Sequence, residues 1–109
     1  MDAETDRSDI NGEDDLARDD KALRLRAGGK SFVAVAKALG YGRAQQANDA
    51  FNRALRRKPP EEQESLRHQE LARLDTMAEG VRASQQLEPD DVARRIRSVE
   101  RLRAMLLAE

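Results

Sequence analysis

The apolar positions of this chain recur three and four residues apart, the period of helices that bury one stripe. The first such stretch starts near Asp14-Asp15, whose carboxylates favour a helix N-terminus. It runs through LARDDKALRLRA to Gly28-Gly29, a good C-terminal stop. Leu16, Leu23 and Ala27 share its inner face, which leaves Lys21, Arg24 and Arg26 outside. Ser31 is placed to cap a short second helix, FVAVAKAL, in which Val35 and Leu39 lie four apart and Ala36 is small enough for close approach. Gly40 ends it by allowing positive φ, and Tyr41 is expected to plug the corner with its ring inward and its hydroxyl wet. A third helix, about Arg43 to Arg57, places Ala47, Ala50, Phe51, Ala54 and Leu55 on its inner stripe.

Pro59-Pro60 forbids continuation of that helix and marks a boundary. A fourth helix, roughly 61 to 86, carries Leu71, Leu74, Ala78 and Val81 as a narrow seam of coiled-coil type, weakened locally by Gly80. LEPDD is a turn followed by an N-terminus. There Pro89 and Asp90 open a last helix with Val92, Ile96, Val99, Leu102 and Leu106 as a second seam. Two such helices joined by a short loop make an antiparallel hairpin whose apolar stripe predicts self-association. The expected fold is therefore all-α. A helix-turn-helix three-helix head at 14–58 is followed by an antiparallel helical hairpin at 59–109 used for oligomerisation. The acidic, Asn11-Gly12-bearing segment 1–13 reads as a disordered tail.

Composition supports small helices at close crossings. In 109 residues the aromatic side chains are Phe32, Tyr41 and Phe51, so the core must come from Leu, Val, Ile and many Ala. Cysteine is absent, which excludes disulfides and thiol metal sites. Apolar runs stop at about five residues where a membrane span needs about twenty, and the N-terminus is acidic, so a soluble cytoplasmic protein without membrane contact is expected.

The net charge of −1 hides a strong segregation: −7 over residues 1–20, +9 over 21–58 and −3 over 59–109. A basic middle third that coincides with the two-helix pattern is the footprint of a phosphate-binding face. Sixteen of the twenty bases are Arg, which suits bidentate contacts to phosphate or guanine and equally suits a GC-rich genome. The acidic tail reads as a solubilising segment or as one that folds back to compete with DNA.

On the third helix the outward positions are Arg43, Gln45, Gln46, Asn48, Asp49, Asn52, Arg53, Arg56 and Arg57. Arg matches the guanine edge, and Asn or Gln the adenine edge, in the major groove. With Lys30 and Lys58 these residues, Asp49 aside, form the expected DNA-binding set. No catalytic constellation, cofactor site or metal site is expected. His68 is the single histidine, and Gly28-Gly29-Lys30-Ser31 lacks the first glycine and preceding strand of a phosphate-binding loop. The acid pairs Asp14-Asp15, Asp19-Asp20 and Asp90-Asp91 sit at predicted helix ends, where capping explains them. The chain is not expected to be an enzyme.

The order LRAGGKSFVAVAKALGYGRAQQANDAFNRAL, then a Pro boundary, then ELARLDTM and a final VERLRAMLL, resembles the small terminase subunits of tailed phages, especially short ones from actinobacterial hosts. The resemblance spans about residues 20 to 107. It implies a non-catalytic subunit that recognises phage DNA through an N-terminal helix-turn-helix and oligomerises, often as a ring, through a central helical hairpin. Such a subunit hands double-stranded DNA to a large terminase subunit, an ATPase and nuclease, in the bacterial host cytoplasm. Carried onto this chain, DNA recognition falls on Arg43 to Arg57 and assembly on 61 to 107. The chain departs from the family in ending soon after the hairpin, where a motor-docking segment is expected, and in the polar LEPDD loop. Two other classes fit the residues: a cellular or prophage helix-turn-helix regulator binding an operator as a dimer, and an interaction protein whose basic helix meets an acidic partner.

Overall fold

A computed structural model describes the backbone of residues 3–108 and the side chains of residues 14–108. The chain is all-α, with helices α1 (Ala3–Ala27), α2 (Phe32–Leu39), α3 (Ala44–Arg56), α4 (Pro60–Ala83) and α5 (Pro89–Leu107). The side chains of the acidic segment 1–13, read as a disordered tail, lie outside the described residues, and α1 begins ahead of the expected start at Asp14-Asp15. The chain divides into two compact units that meet between Lys58 and Pro59. No helix among the described residues is long and apolar enough to cross a membrane.

In the first unit α1, α2 and α3 pack pairwise around Ala22, Leu23, Phe32, Val35, Ala36, Ala47, Ala50, Phe51, Ala54 and Leu55, all buried. Five of these are alanine, so the helix backbones approach closely, and the two phenylalanines fill the remaining volume. The Phe32 and Phe51 rings meet edge to face with centroids 5.9 Å apart.

Local chemistry sets the breaks between helices. Gly29 has φ 108°, and Lys30 N donates to Leu25 O at 3.1 Å, so the end of α1 is closed by a left-handed residue. Ser31 Oγ accepts from Ala34 N at 3.1 Å and caps α2. Gly40, at φ 79°, closes α2 and lets Tyr41 N reach Ala36 O. At the start of α3 the Gln46 side chain turns back, its Oε1 accepting from Gly42 N at 2.8 Å and from Arg43 N at 3.0 Å.

Around α1 and the α2–α3 turn, Leu16, Arg26 and Tyr41 differ from the sequence expectation. Leu16, expected on the inner face of α1, is 52% exposed, because the buried stripe is Asp19, Ala22, Leu23 and Arg26. Arg26, expected outside, is buried. Its guanidinium lies 4.1 Å over the Phe32 ring and donates through Nη1 to Lys30 O at 3.1 Å, so the cation sits between a π face and a carbonyl at the α1–α2 corner. The Tyr41 hydroxyl, expected to be wet, is shut off from solvent and has no hydrogen-bond partner among the described residues. Burial raises its pKa, and Arg18 lies over the ring at 4.5 Å.

In the second unit α4 packs on α5. Arg67 Nε donates to Leu106 O at 3.3 Å, and Arg103 pairs with Asp75. Position along α4 rises as position along α5 falls, so the helices run antiparallel. Leu74, Ala78, Val99 and Leu106 are buried between them. Pro60 and Pro89 each occupy the first turn of their helix, where a missing N–H removes no intrahelical bond.

Candidate nucleic-acid interface

The most basic stretch of the chain, residues 21–58, takes in the end of α1, α2, the turn at 40–43 and α3. The apolar stripe of α3 faces α1 and α2, which determines which polar side chains are left to solvent. Arg43, Gln45, Gln46, Arg53, Arg56 and Arg57 are exposed on or beside α3, as is Lys30 before α2, while Lys58 is half-buried. Lys37, outside the expected set, is also exposed on α2.

Asn48 and Asn52 are not on the outer face. Each is only 3% exposed, and Asn52 Nδ2 donates to Asn48 O at 3.1 Å and to Asn48 Oδ1 at 3.3 Å. Their assignment as base-reading residues is corrected: they lie beside Ala47, Ala50 and Phe51 on the wide buried face of α3, where the Asn52 amide donates to Asn48 one turn back. Gln46 keeps its exposure, but its carbonyl oxygen already holds the start of the helix.

Arg53 and Arg57 are exposed yet engaged. Asp19 of α1, itself buried, accepts from Arg53 Nε at 2.9 Å and Nη2 at 3.0 Å, and from Arg57 Nη1 at 3.5 Å. Arg57 also lies 3.5 Å from Asp20. Burial alone would raise the Asp19 carboxyl, but hydrogen bonding and charge from Arg53, then Arg57, outweigh it and hold the pKa below its ordinary value. The hydrogen bond to Asp19 raises Arg53 above its own. The C-terminal end of α3 is thus partly charge-compensated within the unit. Arg43 and Gln45 at its N-terminal end have no side-chain ion pair of this kind among the described residues. The reading of Asp19 as a helix-end cap is corrected: it lies in the interior of α1, and its position three and four residues before Ala22 and Leu23 puts its carboxylate on the buried face.

The expected assembly seam is partly internal. Leu74 is 0% exposed, and Ala78, Val99 and Leu106 are each buried between α4 and α5 of a single chain, which corrects their assignment as residues facing a second copy. Leu71, Val81, Val92, Ile96 and Leu102 are half-buried at the margins of that contact. Met77 and Leu107, outside the expected set, are 42% and 50% exposed. His68 is exposed on α4 beside Glu61, Glu64 and Ser65. Among the described residues no three His, Asp or Glu side chains come together as a metal site.

Comparison of the chain with protein families, with characterised proteins and with solved structures finds no match.

Proposed function

We propose that this chain is a non-catalytic, DNA-recognising subunit of a phage genome-packaging terminase. Its first unit acts as a helix-turn-helix head, and its second unit is an antiparallel helical hairpin that joins several copies. The observation that carries the DNA reading is the placement of Arg43, the exposed N-cap residue that ends the tight turn at 40–43, and of Gln45, exposed in the first turn of α3. A recognition helix reads base edges in the major groove from its N-terminal residues, and Arg and Gln carry the paired groups that guanine and adenine edges require.

Base reading is accordingly assigned to Arg43 and Gln45, and phosphate contact to Lys30, Lys37 and Arg56, within the stretch that carries +9. Arg53, held by Asp19, is assigned to fixing α3 on α1. The packaging role comes from the resemblance of residues 20–107 to small terminase subunits, and with it come double-stranded DNA, a ring of copies and a large ATPase-nuclease subunit as partners. A hairpin that gathers several heads turns weak single contacts into tight binding.

The test is the mass of the full chain in solution with and without a duplex carrying candidate phage sequence. An assembly of many copies that takes up DNA supports packaging. A strict dimer on a palindromic site supports an operator-binding regulator instead.

A further inference from the structure

On the faces they leave to solvent, α4 and α5 carry opposite charges that find no partner among the described residues. Glu61 and Glu64 are exposed in the first turns of α4, and Arg97 and Arg101, four residues apart, are exposed on α5. None of the four forms an ion pair among the described residues, whereas Arg73 pairs with Glu70, Arg94 with Asp91 and Arg103 with Asp75.

Geometry forbids the two groups from meeting within one chain. Arg67 already reaches Leu106 in the last turn of α5. In an antiparallel pair, the α4 turn that bears Glu61 and Glu64 therefore lies at and beyond the end of α5. Arg103 marks the level of Asp75, and Arg97 and Arg101 lie further toward the other end of α4. Glu64 stands eleven residues before Asp75, roughly 16 Å along the helix at 1.5 Å per residue.

We infer that the Glu61–Glu64 turn of one copy docks on the Arg97–Arg101 face of α5 in a second copy of this chain. The inference rests on the proposed self-association and names its surface. The occupant is another copy because each copy carries both complements, so the acidic turn of one chain matches the basic face of the next. Met77 and Leu107, left exposed at 42% and 50%, are apolar area that the second unit leaves to solvent. Exposed ion pairs add little energy singly, so these set orientation and salt sensitivity while apolar contact supplies the adhesion. Used one way, the contact leaves one patch of each copy open to a third copy and is heterologous; used reciprocally, it closes two copies into a dimer. The heterologous contact propagates from copy to copy and closes as a ring or continues as a filament.

The test uses two charge-reversed forms of the full chain, Glu61→Lys/Glu64→Lys and Arg97→Glu/Arg101→Glu, with helicity checked by circular dichroism and mass followed by light scattering against concentration. Each form alone is expected to dissociate at a concentration at least about tenfold above the wild type. An equimolar mixture is expected to assemble at a concentration well below that either form needs alone, because alternating the two forms sets acid against base at their contacts. Variants that assemble as the wild type does, or a mixture that stays apart, would overturn the inference while leaving self-association standing. A wild type that is monomeric at every concentration would overturn the proposed self-association itself.

Discussion

Arg53 of α3 grips both carboxylate oxygens of Asp19 of α1, through Nε at 2.9 Å and Nη2 at 3.0 Å, across 34 residues of sequence. The carboxylate is buried, with its side chain 6% exposed, while Arg53 and Arg57 reach it from the surface at 52% and 38%. The pair joins the helix assigned to DNA to the helix behind it. Its likeness to a phosphate contact is therefore misleading: the arginine already has its anion.

Asp19→Asn should destabilise the first unit by about 2 kcal/mol, because a charged, two-point hydrogen bond becomes a weaker neutral one. The Asp19 pKa is lower in the folded chain than in the unfolded one. Its contribution is therefore complete above the unfolded value of about 4 and is lost as pH falls through the folded value below that. Thermal melts of the wild type should lose stability on acidification below about pH 4, and the Asn variant should lack that component.

Asn48→Ala should act through the fold. Removing one amide from a buried pair costs about 1 to 3 kcal/mol, and any loss of DNA affinity should be the same on every sequence. Gln45→Ala, at an exposed first-turn position, should leave the melting temperature within a degree or two and alter sequence preference by about 1 to 3 kcal/mol. Parallel melts and binding to a panel of duplexes separate the two residues.

Leu74→Ala should destabilise the second unit by about 2 to 5 kcal/mol, since a side chain at 0% exposure leaves a cavity between α4 and α5. Met77→Ser, at 42% exposure, should leave helicity unchanged and weaken self-association. Chemical denaturation followed by circular dichroism, beside mass measurement, distinguishes a lost core from a lost contact surface.

The sequence displayed the helices and their breaks well, because those depend on neighbours. Ser31, Gly40 and the prolines at 59, 60 and 89 act within one or two turns, and the stripe of Ala47, Ala50, Phe51, Ala54 and Leu55 is a local period. The candidate site was less legible because it depends on how wide the buried face of α3 is. That width follows from α1 and α2 both packing on it, and it takes in Asn48 and Asn52. Local patterning likewise gave no sign that Arg53 would find its anion on α1, or that Arg26 would stack on Phe32 across the corner. The seams of α4 and α5 were correctly apolar. Periodicity alone does not say whether such a seam meets the neighbouring helix of the same chain or of another copy.

The central claim, that the first unit is a DNA-binding head, is tested most directly by titrating the full chain against a labelled duplex at several salt concentrations. Each phosphate neutralised adds about 0.9 to the slope of log affinity against log salt. Contacts from Lys30, Lys37 and Arg56 predict a slope of about −3 or steeper, shallower by about 0.9 in Arg56→Ala. A flat slope, or no binding at low salt, would contradict the account.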